Sequence, residues 1–149
     1  MRVMGLDYGS KTVGVAISDE LRMTAQPIET ICRDRESKIR RTLVRIEELQ
    51  KEYDVGLIVV GLPLNMDDSI GERAEAAMAF RERLERRLSL PVVLSDERLT
   101  TVEAQKALRE MGIPWQEQKR YIDQIAAVLI LREFMENHRQ TMEQMLLTS

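Results

Sequence analysis

The run VGLIVVGL (Val55–Leu62) carries no polar side chain. A strand apolar on both faces needs cover on both sides, so it belongs in the middle of a sheet, parallel to a neighbour and sandwiched by helices. Parallel neighbours need crossover connections, which places the chain in the α/β class. Its 149 residues suffice for one domain with a core of its own.

Three shorter runs come first. RVMGLDYG (Arg2–Gly9) reads as a buried strand closed by a turn, TVGVAISD (Thr12–Asp19) as a second strand and AQPIETICR (Ala25–Arg33) as a third, with Pro27 suited to a strand start or sheet edge. Connections this short favour an antiparallel meander. A helix is expected from about Ser37 to Tyr53, with Ile39, Leu43, Ile46, Leu49 and Tyr53 on one stripe, returning the chain to VGLIVVGL beside the first strand. After the loop PLNMDDS, Ser69 and Glu72 have the spacing of a capping box opening a helix to about Leu88. PVVLS from Pro91 is a short strand, and Thr100 with Glu103 gives a second capping box and a helix to about Glu110. Gly112 and Pro114 break the chain and leave Trp115 in a loop before a last helix, about Lys119 to Asn137. The expectation is one α/β domain over 1–137, with a mixed five-stranded sheet of three antiparallel strands followed by parallel strands, flanked by helices. Residues 138–149 are set apart as a C-terminal tail.

Composition removes several kinds of chemistry. Hydrophobic residues make up 44% and charged residues 32% of the chain, the balance of a globular domain. Its longest apolar runs are too short to cross a bilayer and no leader-like segment opens it, so a cytoplasmic protein with no membrane partner is expected. Cys32 is the only cysteine, which rules out an internal disulfide or a cysteine zinc cage and reads as a buried thiol. His138 is the only histidine, in the polar stretch MENHRQTMEQ, and reads as solvated surface. A histidine triad and an HExxH site are thus excluded, leaving carboxylates, hydroxyls, lysine and arginine. The net charge of −3 argues against a generally basic nucleic-acid binder, yet the cations are 17 arginines to five lysines. Arginine's planar fork suits phosphate, although most of these are expected to face helix-surface glutamates, as Arg86 to Glu82.

In open α/β sheets ligands gather beyond the carboxyl ends of parallel strands. Three acids are expected there: Asp7 at the end of the first strand, Glu97 in LSDERLTT past the last strand, and Asp123 in YIDQIAAVLIL at the start of the most apolar helix. Small Ala126 and Ala127 would let that helix approach the sheet. Singly, each acid has a plainer reading: Asp7 bonded to its glycine turn, Glu97 paired with Arg98 or another arginine, Asp123 favoured by a helix dipole. Three carboxylates together resist ionisation unless a cation neutralises them. Hard oxygen donors without histidine or cysteine suit Mg²⁺ or Mn²⁺, with water and substrate phosphate completing the coordination. The chemistry implied is phosphodiester hydrolysis, for which two ions about 3.5–4 Å apart serve attacking and leaving oxygens.

The blocks GLDYGSKTVGVAISD, VVGLPLNMDDS, LSDERLTTVEA and DQIAAVLILREFM together resemble the YqgF/RuvX family, Holliday-junction resolvases also described as pre-16S rRNA nucleases, from about Arg2 to Met135. The resemblance implies an RNase H-like fold and a metal-dependent nuclease of the cytoplasm, with Asp7, Glu97 and Asp123 as its catalytic acids and metal ligands. It implies nucleic acid as partner, either pre-16S rRNA processed at its 5′ end, with ribosomal precursor particles, or branched DNA. Symmetric junction cleavage asks for a dimer, whereas rRNA trimming does not, so a monomer or weak homodimer is expected. Lys11 is either a phosphate contact or a solvated turn lysine; Asn65 holds the nucleic-acid backbone or serves its turn; Arg98 does the same or pairs with an acid. Asp96 helps position its loop or is solvated. Gly9 supplies either a positive φ or a close backbone approach. Two rivals stand beside this reading. The D-x-G turn followed by G-V-A also resembles the phosphate loop of sugar kinases, actin and Hsp70 chaperones, which pair two such domains. A non-catalytic nucleic-acid or protein-binding module is the other.

Overall fold

The computed structural model describes residues 1–63, 70–97, 106 and 108–148, without the side chains of 97, 115, 116, 119 and 120. Its elements are β1 (Arg2–Tyr8), β2 (Thr12–Ser18), β3 (Ala25–Cys32), α1 (Arg40–Glu52), β4 (Val55–Pro63), α2 (Glu72–Leu88), β5 (Val92–Glu97), α3 (Trp115–Asn137) and α4 (Arg139–Leu147). The apolar run occupies β4, which is buried from Val55 to Gly61 and lies parallel to β1 on one side and β5 on the other. The sheet order is β3-β2-β1-β4-β5, with β1–β2 and β2–β3 antiparallel. Pro27 sits in edge strand β3, opposite Ala16, where the register slips by one residue; an edge tolerates the missing N–H.

Alternation along the strands divides two cores. Leu6, Val13, Val15, Ile58 and Val60 join Leu43, Ile46 and Leu49 of α1 and Phe80 and Leu84 of α2. Val3, Ala16, Leu57 and Val59 face the opposite way and join Ala127, Leu131 and Phe134 of α3. Burying apolar area at about 25 cal/mol per Å² makes these two interfaces the main source of stability.

The helix boundaries differ from those expected. α1 starts at Arg40 rather than Ser37, because the preceding residues form a turn in which Lys38 N–H donates to the Arg35 carbonyl (3.0 Å). α2 starts at Glu72 with Gly71 at its N-cap, so Glu72 holds the first helical position and not the third that a capping box requires; Ser69 lies outside the described residues. Residues 108–110 are helical as expected, while Thr100 and Glu103 lie outside. Trp115 is the first residue of α3, not a loop residue: Pro114 at the N-cap is extended, and the helix begins directly after it.

The segment set apart as a tail forms α4. Its Met142 is fully buried, and Met145 and Leu146 pack on the α3-side core. Arg22 in the β2–β3 turn donates twice to the Glu143 carboxylate (3.1 and 2.9 Å), and Arg139 donates to the Arg22 carbonyl (2.6 Å). Cys32 is exposed, contrary to the buried thiol expected, because it ends an edge strand with its side chain turned outward. Arg86 reaches the Glu82 carbonyl (3.4 Å) rather than its carboxylate, and the four-residue ion pair on this helix is Arg81–Glu85 (3.4 Å).

Candidate active site

Asp7 is the next-to-last residue of β1, paired across the ladder with Gly14. The pleat alternates Val3, Gly5 and Asp7 toward α3, and Leu6 and Tyr8 toward α1 and α2. Tyr8 accordingly stacks on Phe80, with centroids 4.2 Å apart. Asp7 is half-buried beneath α3.

Asp123 reaches the same place through unusually tight packing of α3 on the strands. A Cβ built on Gly14 would run into the backbone carbonyl of Asp123, and one on Gly5 would lie 2.8 Å from Leu131 Cβ and 2.9 Å from the Ala127 carbonyl oxygen. Only hydrogen at these two positions lets the helix axis come so close. Gln124 then anchors the helix laterally by donating to Thr30 Oγ1 (3.2 Å) in β3. Asp123 is therefore the ninth residue of α3 and lies in its third turn, beyond the reach of the N-terminal dipole that was its plainer explanation.

The two carboxylates act on one another. Burial, and then the negative charge of Asp123, push the Asp7 carboxyl up to about 6. Neither acid has a lysine or arginine partner among the described residues. Glu97 ends β5, its backbone paired with Pro63 at the carboxyl end of β4, hence at the sheet edge where Asp7 lies. Its side chain is outside the described residues, and among those that are described no third acid, histidine or cysteine joins the pair. Two neighbouring, cation-free carboxylates fit a hard divalent ion by donor type and by charge.

The remaining candidates separate. Lys11 is exposed in the β1–β2 turn at this edge. Gly9 serves a close backbone approach and not a positive φ: its N–H donates to the Thr12 carbonyl (2.8 Å), and a Cβ would lie 3.0 Å from that oxygen. Asp96 is exposed. Asn65 and Arg98 lie outside the described residues. Sequence reasoning credited the helix approach to Ala126 and Ala127. Ala127 is fully buried against the strands, and Gly5 and Gly14 make room for the helix from the other side of the interface. Glycines inside otherwise apolar strands were the available signal.

A mixed sheet in this order, with helices on both faces and acids from its first strand and from a late helix meeting at one edge, defines an RNase H-like fold. Residues 1–137 match the family described as RuvX, Holliday junction resolvase. The chain belongs to the RuvX family. It is 59% identical over 94% of its length to the whole of a Lachnospira eligens protein whose name provisionally makes it a pre-16S rRNA nuclease. A Listeria innocua protein of the same provisional name is 52% identical over 91% of this chain and 98% of its own. In structure the chain is similar to Thermus thermophilus RuvC in complex with Holliday junction substrate (TM-score 0.64, 15% identity, 94% and 96% of the two chains). It is also similar to the fowlpox virus Holliday junction resolvase (TM-score 0.55, 14% identity, 93% and 99%).

No helix among the described residues is long and apolar enough to cross a membrane.

Proposed function

We propose that this chain is a divalent-metal-dependent nuclease of the cytoplasm that hydrolyses a phosphodiester at the 5′ end of pre-16S rRNA. The observation that carries the proposal is the meeting of Asp7 and Asp123 across Gly14, at the carboxyl edge of a sheet that also ends in Glu97. The names of relatives 59% and 52% identical favour rRNA as the substrate.

Asp7 and Asp123 hold Mg²⁺ or Mn²⁺, and Glu97 completes the acidic set. A bound ion supplies Lewis acidity and neutralises charge developing on the phosphate. Asp7 works ionised, and its elevated pKa means that a nearby cation is needed to hold it so at mildly acidic pH. α3 fixes the position of Asp123 through backbone contact with β2, which pre-organises the acids before substrate arrives. Lys11, exposed at the same edge, meets the incoming phosphate as a point charge. Asn65 and Arg98 are proposed to hold the backbone on either side.

Branched DNA is the second reading, favoured by the family description. Symmetric resolution would need two copies, and rRNA trimming one. The test offers a 5′-extended pre-16S rRNA fragment and a four-way DNA junction to wild type, Asp7→Asn and Asp123→Asn, with Mg²⁺, Mn²⁺ or EDTA. Metal-dependent cutting of the rRNA fragment, lost in both variants, is expected. Equal cutting in EDTA would refute the metal site, and junction cutting alone would replace the substrate.

A further inference from the structure

Unpaired cations collect on one side of this acidic chain. The end of β3, the loop after it, the start of α1 and Arg83 of α2 line a groove of about 560 Å³. Lys38, Arg40, Arg41 and Arg83 in its lining are exposed. None forms an ion pair among the described residues, and Asp34 is the only acid in the lining. Several arginines elsewhere are matched, Arg45 to Glu29 (2.7 Å), Arg73 to Glu36 (3.1 Å) and Arg87 to Glu47 (3.4 Å), and those that are not, such as Arg109 and Arg132, lie outside the groove.

Two independent features suit the groove to an anion. The first turn of α1 begins Arg40-Arg41, has no acidic residue and no side-chain cap. A helix N-terminus is itself positive and favours anions, so two arginines there, with Lys38 just before, raise the local positive charge, against which the described lining sets Asp34 alone. The second feature is Arg33. Its side chain is only 3% exposed, and Nη2 donates to the Gly9 carbonyl (2.7 Å). Nη2 also lies 4.0 Å from a Glu36 carboxylate oxygen, and the guanidinium sits over the Tyr8 ring, but Nε and Nη1 are buried with no hydrogen-bond partner, an arrangement that costs stability unless something completes it.

We infer that this groove binds the phosphate backbone of the nucleic-acid substrate, as a contact separate from the cleavage site; the inference rests on the nuclease reading. Guanidinium forks grip phosphate oxygens in pairs. The apolar side chain in the lining, Ile39, is 5% exposed, so the groove offers no apolar anchor of the kind protein interfaces are built on. It also joins the edge that carries the acids. β3 and β1 run the same way, and the Arg33 N–H donates to the Lys11 carbonyl (2.8 Å), which ties the groove to the turn following Asp7. A strand can run from the acid pair, past Lys11 and Arg33, to Arg40, Arg41 and Arg83.

The experiment measures fluorescence anisotropy of a labelled single-stranded RNA of about 20 nucleotides in EDTA, from about 50 to 300 mM salt, where single-strand binding gives a log–log slope near −0.7 per neutralised phosphate. Arg40→Gln/Arg41→Gln/Arg83→Gln is expected to bind at least tenfold more weakly at low salt, with a slope shallower by about 2. Lys51→Gln/Arg109→Gln/Arg132→Gln, which removes the same charge from exposed positions outside the groove, is expected to keep wild-type affinity and slope. Equal loss in both triples, or none in the groove triple, overturns the inference. AMP binding as tightly as the 20-mer also overturns it, since the groove would then be a small-anion site. Should the triple variant fail to fold by thermal melt, Arg83→Gln alone carries the test with a slope change of about 0.7. Binding is read without cleavage, so a chain that proves not to be a nuclease still gives an answer.

Discussion

Asp7 is a destabilising residue in the metal-free protein, and its pH dependence says by how much. Its carboxyl titrates near 3.8 when free and at about 6 when folded. Below about pH 3 it is protonated in both states and carries no penalty. Between pH 4 and 6 the unfolded chain gives up the proton first, so stability falls, and above 6 the deficit is complete, at roughly 3 kcal/mol from about 1.4 kcal/mol per pKa unit. Asp7→Asn should therefore raise apo stability by up to about that amount at pH 7.5 and by only about 0.5 kcal/mol at pH 4, while abolishing cleavage and most of the Mg²⁺-induced rise in Tm. Urea melts at both pH values check this. A gain of equal size at pH 4 would mean that packing, not charge, is relieved. Gly14→Ala is the companion case: its Cβ has no room against the Asp123 carbonyl, so β2 and α3 must part. Overpacking against backbone costs about 1–3 kcal/mol or more, and because the shift moves Asp123 itself, activity should fall further than stability explains. A Gly14→Ala enzyme with wild-type kcat would show that the helix position is not what sets the acid pair.

At the scale of elements, α4 is a structural part of the fold. Met142 is fully buried, and loss of a buried methionine side chain costs about 2–5 kcal/mol. At about 2–4 °C per kcal/mol for a chain of this size, Met142→Ala should lower Tm by roughly 5–15 °C, read by calorimetry; an unchanged melt would make α4 a peripheral appendage. The contrast with the rest of the fold is instructive. β1 to β5 and their directions were legible because each strand carries its own pattern, and the two-faced apolar run admits one place in a sheet. Asp7 was legible for the same reason, since a strand end is a position that pattern alone defines. α4 was not, because its sequence RQTMEQMLL buries chiefly one methionine and presents polar residues around it, which reads as a solvated tail until β4 and α3 supply the surface it covers. The start of α3 was missed through Pro114, which read as a break and instead serves as the N-cap. The reason given for the position of Asp123 was incomplete. Alanines on the helix were credited with a close approach that depends as well on Gly5 and Gly14 across the interface, and contacts between elements far apart in sequence leave no local periodicity to read.

For the molecule as a whole, the question is how a chain of net charge −3 holds a polyanion. Its long-range field repels nucleic acid, so attraction has to be local, within the Debye length of about 10 Å at moderate salt. Two local sources are available: the unpaired cations beside α1 and, on the proposed reading, a divalent ion held by Asp7 and Asp123. The second predicts that metal strengthens binding as well as enabling chemistry. It also predicts that, without metal, the acid pair opposes nucleic acid brought to that edge. A unit charge about 5 Å from a phosphate contributes roughly 1 kcal/mol in a water-like dielectric, a change of several-fold in affinity. In EDTA at pH 7.5, where Asp7 is ionised, Asp7→Asn should therefore bind single-stranded RNA several-fold more tightly than wild type. At pH 5, below the Asp7 pKa of about 6, the wild-type carboxyl is mostly protonated and the difference should shrink toward nothing. With Ca²⁺ in place of EDTA at pH 7.5 the order should invert, because wild type gains a cation that the variant holds poorly. Anisotropy titrations of the two proteins under these three conditions are sufficient. Equal affinities throughout would mean that the phosphate chain does not pass over the acid pair, and the proposed path from Asp7 to Arg83 would have to be redrawn.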